Sequence, residues 1–219
     1  MIQAYGALLA VIFVSLTFQL AAPNEDWAWI VTFLLQAGAL LLALRVSRTR
    51  ALLSRRATIA VLIGTALALL ALIGVDQVTG GPARAISAAV IAFAIVAIAL
   101  GALVEAREHG GINLRTVFGV LCIYLLMGML FSDAFELIDI LSSSPFFAEV
   151  SNPAPNDFLY FSYVTLTTTG YGDLTAATDV GRSVAVAEAR IGQIYLVTIV
   201  ALIVANLGRA ASRPGRSPA

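Results

Sequence analysis

The chain has 219 residues, 60% of them hydrophobic and only 12% charged, about half the roughly 25% charge of an average soluble domain. With a mean hydropathy of +0.93, this is the composition of a membrane protein. A formal net charge of zero supplies no general attraction to nucleic acid, so none is expected as a partner.

A membrane-spanning helix needs about 20 mostly apolar residues, and six segments qualify. The first, 2–22, has no basic residues ahead of it and reads as a span, not a cleaved signal peptide; Pro23 ends it. The second, 27–44, opens on Trp27 and Trp29, which suit the membrane interface. The third is 57–75 and the fourth 83–104. The fifth is 114–131, with an amphipathic extension through 140, and the sixth is 180–207. The basic residues, all arginine, set the orientation. Five stand in RVSRTRALLSRR between the second and third spans, Arg107 and Arg115 lie between the fourth and fifth, and Arg209, Arg213 and Arg216 follow the sixth. A six-span chain with both termini cytoplasmic puts all of them on one side. The arginines of ALLSRRATI suit the anionic inner membrane face. The fourth span carries only Arg84, at its outer end, and the first three spans contain no internal acids. Little voltage sensing is therefore expected from this region. His109, in REHGG, lacks the clustered partners of a metal site and reads as a solvated loop residue. Cys122 is the single cysteine; it excludes an intrachain disulfide, and its apolar run makes an inert thiol the expectation.

The fifth and sixth spans are joined by a long connection, 132–179. Its SSSPFFAEVSNPAPN stretch is turn-rich. DFLYFSYVTLTT follows, apolar and aromatic but too short to span, with Asn156 or Asp157 available to cap a helix there. Such a helix either lies on the surface or enters the membrane and stops. The second fits what comes next, because irregular backbone at membrane depth is tolerated where protein buries it or it lines a wet cavity. That next stretch is TTTGYGD. Rings of backbone carbonyls can replace the hydration shell of potassium. Turning successive carbonyls to one side takes an alternating backbone, and Gly170 and Gly172, two apart, supply positive φ without steric cost. Thr168 can add a hydroxyl at the inner end. Tyr171 can brace the strand against the aromatic helix, whose C-terminal dipole favours a cation.

TTTGYGD, behind a short aromatic helix and between two spans, resembles the potassium channel family over 114–207. The resemblance implies that Thr168, Thr169, Gly170, Tyr171 and Gly172 bind potassium, mainly through backbone carbonyls. It makes Asp173 the acid after the filter and puts Tyr160 and Phe161 where the family has an aromatic cuff. Val164 stands where some members carry a glutamate that pairs with that acid, so Asp173 is expected without this partner. Thr169 departs from the commoner valine; it keeps the shape and adds a hydroxyl in need of a partner. The resemblance extends to Gly181-Arg182 and to Gly192, where a hinge glycine commonly sits, although close helix packing explains a membrane glycine equally well. Helical spacing from Gly192 groups Gln193, Leu196, Val200 and Val204, expected to line the cavity and inner gate. Lipid contact is the other reading, and the amide of Gln193 argues against it. Glu188 and Arg190 are charges inside a span and are rarely idle there. Glu188 is expected to reach hydroxyls behind the filter, including that of Thr169.

Seven acids lie between Asp133 and Asp179; repeated around an axis they would concentrate cations at the outer mouth. The expected fold is an all-α membrane protein: six transmembrane helices, a re-entrant pore helix and a filter, with the pore formed as a tetramer. Residues 1–110 form a four-helix membrane domain without sensor charges, 111–208 the pore domain and 209–219 a short cytoplasmic tail. The expected function is passive potassium conduction without strong voltage gating. The alternatives are a weakly selective sodium/potassium channel and a non-conducting accessory subunit. A membrane enzyme or carrier fits less well, since paired His, Asp or Glu clusters and polar midplane sites are missing. No cofactor is expected beyond the permeant potassium ion. The partners are further copies of the chain as a homotetramer and membrane lipid, and the location is the bacterial plasma membrane.

Overall fold

The computed structural model describes residues 2–21 and 114–211 and, between them, helical positions 31, 34, 35, 38, 88, 89, 91, 92, 95 and 99. The second to fourth expected spans fall mostly outside the described residues, as do the arginine-rich link and the end of the chain beyond 211. Among the described residues four helices are continuous: α1 (Ile2–Ala21), α2 (Leu114–Leu141), α3 (Pro155–Leu166) and α4 (Asp179–Ala211). Among the described residues, two stretches are long and apolar enough to cross a membrane, Val117–Leu141 in α2 and Asp179–Leu202 in α4. The apolar part of α1, Gly6–Ala21, is shorter. Helix α4 extends past the expected end at 207, through residues GRAA, which contain no breaker beyond one glycine.

Helix α2 carries its buried residues at helical spacing: Cys122, Ile123, Leu126, Met127 and Met129. Leu8, Ile12 and Leu16 of α1 stand four apart, form a stripe on one face, and enter the same core together with Ile91, Leu159 and Leu166. Helix α1 therefore packs along α2 and reaches α3, so the N-terminal helix shares a core with the elements around TTTGYGD. Ser15 lies buried at this contact and accepts a 3.1 Å hydrogen bond from Gln19 of its own helix.

A second core is aromatic. Phe135 from α2, Phe146 and Phe147 from the following loop, and Phe158 and Phe161 from α3 are all buried together with Ala176. Ring centroids lie 5.2 Å apart for Phe135–Phe146 and 5.0 Å for Phe147–Phe158, within the range where aromatic pairs attract beyond simple burial. The loop is tied at both sides. The Phe146 amide donates to Asp139 Oδ1 at 2.8 Å. The Ala148 amide donates to the Thr175 carbonyl at 3.0 Å and the Ala177 amide to the Phe146 carbonyl at 2.8 Å, around an antiparallel bridge between Phe147 and Ala176.

Helix α3 starts differently from the sequence expectation. Ala154, in extended backbone, precedes Pro155, whose ring pre-sets the first helical turn. Asp157 reaches back and accepts the Ala154 N–H at 2.8 Å. Asn156 makes no cap; its Oδ1 is buried without a hydrogen-bond partner. The proline takes the first helical position, which puts Asp157 at the third and within reach of the free N–H.

Candidate functional site

Helix α3 is a half-length helix of 12 residues that stops at Leu166, and TTTGYGD begins at once. The backbone there has positive φ at every second residue: Thr168 at 56°, Gly170 at 58° and Gly172 at 80°. A Cβ on either glycine would meet nothing within 4 Å, so the backbone conformation, not crowding, calls for glycine. Thr168 in the same region is the less expected member, because a β-branched residue resists positive φ, and nothing in its side chain announced it. The alternation thus starts one step earlier than the glycines alone indicate.

The start of the strand is bonded to the last turn of α3. The Thr168 amide donates to the Thr165 carbonyl at 2.9 Å, and the Thr169 and Gly170 amides share the Val164 carbonyl at 2.9 and 3.4 Å. Val164 acts through its backbone. The Thr167 hydroxyl donates to the Tyr163 carbonyl at 2.7 Å. Its single proton is thereby used, so in the 2.8 Å contact between Thr167 and Thr169 the donor is Thr169. The partner of the Thr169 hydroxyl is its neighbour in the strand. Glu188 does not reach it, contrary to the sequence expectation, because Glu188 is engaged with Ser162 on the far side of α3.

At the other end of the strand, Tyr171 is 71% exposed in the single chain and its ring stacks on that of Tyr160, with centroids 6.5 Å apart and planes 5° from parallel. The Tyr160 hydroxyl donates to Asp173 Oδ2 at 2.7 Å. Asp173 therefore has a side-chain partner on α3 despite the valine at 164, one turn further along. Phe161 instead points into the aromatic core. Thr175, just beyond, gives both its amide (2.8 Å) and its hydroxyl (2.6 Å) to the Glu149 carboxylate. These bonds hold the Glu149 carboxyl below the usual glutamate range. Arg182 Nε donates to the Ala176 carbonyl at 2.9 Å. Of the seven acids of this region, Asp139, Glu149, Asp157 and Asp173 thus each hold a loop, a cap or a tyrosine in place.

Behind α3 the packing is closed. Glu188 is fully buried, with Oε1 2.5 Å from Ser162 Oγ, and Ser162 Oγ lies 2.7 Å from the Gly128 carbonyl. The tyrosines around it all donate to helix carbonyls: Tyr163 to Leu125 at 2.5 Å, Tyr124 to Leu166 at 3.3 Å and Tyr195 to Val120 at 2.7 Å. A Cβ at Gly192 would collide with the Leu166 carbonyl. This glycine lets α4 pass directly against the end of α3, and α4 runs through it as unbroken helix. Close packing against Leu166 is what it provides here.

Gln193, Leu196, Val200 and Val204 are exposed in the single chain; Leu196 stands one turn beyond Gly192 on the same side of α4, while Gln193, Val200 and Val204 lie further round the helix. Val186, Arg190, Gln193, Val197, Val200 and Val204 fall on one helical stripe of this exposed face. Arg190 lies near the middle of the apolar stretch Asp179–Leu202, where contact with lipid is costly for a charge. An open cavity of about 540 Å³ sits beside the strand, lined by Val164, Gly170, Asp173, Arg182 and Ala189 among others. Among the described residues no group of His, Cys, Asp and Glu is arranged to hold a metal ion. Sequence reasoning missed Ser162, Tyr124 and Tyr195. A serine inside an aromatic run was the one available signal; the two tyrosines look like ordinary apolar packing.

Residues 119–209 match the family model described as an ion channel. The matched stretch takes in most of α2, all of α3, the TTTGYGD strand and most of α4. This supports an ion channel in the membrane. The comparisons with curated proteins and with solved structures return no match.

Proposed function

We propose that the ion-channel segment conducts potassium selectively and passively, with four copies of the chain around one axis and Thr168–Gly172 as the filter. The observation that carries this is the backbone at TTTGYGD: positive φ at Thr168, Gly170 and Gly172, at the end of a half-length helix. An alternation of that kind lets consecutive carbonyls face one way, which is what dehydrating a potassium ion asks of a backbone. One chain supplies one strand, so a closed ring needs several. Support for assembly comes from the far face of α4, where Arg190 and Gln193 are exposed among valines. Placing that face toward water or other copies avoids a bare guanidinium in lipid. On this proposal Gln193, Leu196, Val200 and Val204 line the cavity below the filter, Tyr160 and Asp173 steady it above, and the N-terminal spans confer little voltage dependence. The protein sits in the plasma membrane with both termini inside and uses no cofactor.

The test is flux in liposomes containing the purified protein. Potassium flux should exceed sodium flux, be blocked by barium, and vanish in Gly170→Ala, since alanine at φ 58° is strained. No flux from a folded tetramer would rule the proposal out in favour of an accessory subunit. Thr169 favours a second reading, a weakly selective sodium/potassium channel, because its hydroxyl is part of the strand's own bonding. Equal flux of the two ions would select that reading.

A further inference from the structure

The hydrogen bonds behind α3 do not balance if every group has its ordinary neutral-pH form. Ser162 Oγ lies 2.7 Å from the Gly128 carbonyl and 2.5 Å from Glu188 Oε1, yet a serine has one proton. A carbonyl has none to give. One of the two contacts therefore needs a second hydrogen, and Glu188 is the only member able to bring it. The other titratable groups facing Glu188 are Tyr124 on α2 and Tyr163 on α3, and both have committed their hydroxyls to the Leu166 and Leu125 carbonyls. Arg190, two residues on along α4, is on the exposed side of the helix. Glu188 itself is fully buried, and its Oε2 has no hydrogen-bond partner. A carboxylate left so would be an unpaired charge in an apolar core, far costlier than a neutral acid with one idle carbonyl oxygen.

We propose that Glu188 is a neutral carboxylic acid that positions the filter: its proton goes to Ser162, the Ser162 proton goes to the Gly128 carbonyl, and the chain of two bonds locks α4, α3 and α2 together. Helix α3 ends at Leu166, four residues after Ser162, and the strand begins at the next residue, so this lock sets where the strand starts. Removing the proton would set two acceptors against one donor and loosen α3.

Infrared spectra of the purified protein test the protonation without relying on conduction. At neutral pH the difference between wild type and Glu188→Gln should contain the C=O band of a buried neutral acid, and Ser162→Ala should shift that band. A difference spectrum showing only a carboxylate, or a band indifferent to Ser162→Ala, overturns the proposal. The flux measurement rests on the channel reading. Glu188→Gln, whose amide can still donate to Ser162, should keep the potassium-over-sodium ratio and hold it at alkaline pH, where wild type loses it; Glu188→Ala should lose it at all pH values. Identical alkaline profiles for wild type and Glu188→Gln would overturn the positioning role. An acid band without any flux would keep the protonation claim and strike the channel reading instead.

Discussion

Helix α3 and the strand that follows it are adjacent in sequence and opposite in environment. Phe158, Leu159, Phe161, Ser162 and Leu166 of α3 are buried, fixed by two hydrophobic cores, by hydrogen bonds with α2 and by the Glu188 carboxyl of α4. Residues 167–173 are all exposed in the single chain, tied to α3 at the start by backbone bonds and at the end through Tyr160. The difference teaches that the described residues of one chain support the strand from behind but leave its front uncovered. Whatever faces that front, ions or further copies, meets a backbone already shaped.

The sharpest way to break this contrast is to remove the support. Phe146 contributes no part of the strand, yet it is fully buried against Phe135, Phe158 and Phe161. Phe146→Ala should destabilise the protein by about 3–5 kcal/mol, read from denaturant or thermal unfolding in detergent. Gly192→Val should come next, at about 1–3 kcal/mol, because the added carbons meet the Leu166 carbonyl; the same unfolding measurement checks it. If Gly192 served as a free bend instead, valine would leave stability nearly unchanged. Tyr160→Phe removes the 2.7 Å bond to Asp173 and keeps the ring stack. It should leave global stability nearly unchanged, since the bond is exposed to solvent, while hydrogen exchange at Gly172 and Asp173 quickens and that in α3 does not. A change confined to α3 would contradict the division between support and strand.

The smallest effect is a pH dependence at the outer loop. The Glu149 carboxyl titrates below its unfolded value, so its contribution is present above the ordinary glutamate range and is lost as pH falls through the lowered value. Acidification should therefore weaken the Glu149 contacts to Thr175, leave the Ala148 backbone bond in place, and modestly increase cleavage of the loop in limited proteolysis. Glu149→Gln should remove that pH dependence.

Much of the helical frame is legible in the sequence. The apolar runs of α2 and α4 announce themselves by length, the short aromatic α3 by its position, and the strand by its two glycines. What escapes is contact between residues distant in the chain. Ser162 and Glu188 meet across two elements, as do Tyr160 and Asp173, and no periodicity links them. The five phenylalanines of the aromatic core look like five separate apolar residues until the loop folds back. Thr168 escapes for a local reason: its φ is imposed by bonds to the end of α3, against its own preference. Glu188 was legible as a charge with a purpose, but the reach of its side chain toward Ser162 instead of Thr169 depends on which side of α3 faces α4.

The stripe of Leu8, Ile12 and Leu16 has a consequence for how the protein is made. Helix α1 leaves the ribosome well before α2, whose Cys122 and Leu126 share its core. At about 5–20 residues per second, the interval from Ala21 to Leu114 lasts roughly 5–20 s. For that time the stripe, which includes the buried Ser15, has neither α2 nor α3 to close on. Assembly of this core is thus a late, long-range event in biogenesis, and a chain halted before α2 would carry an α1 without these partners.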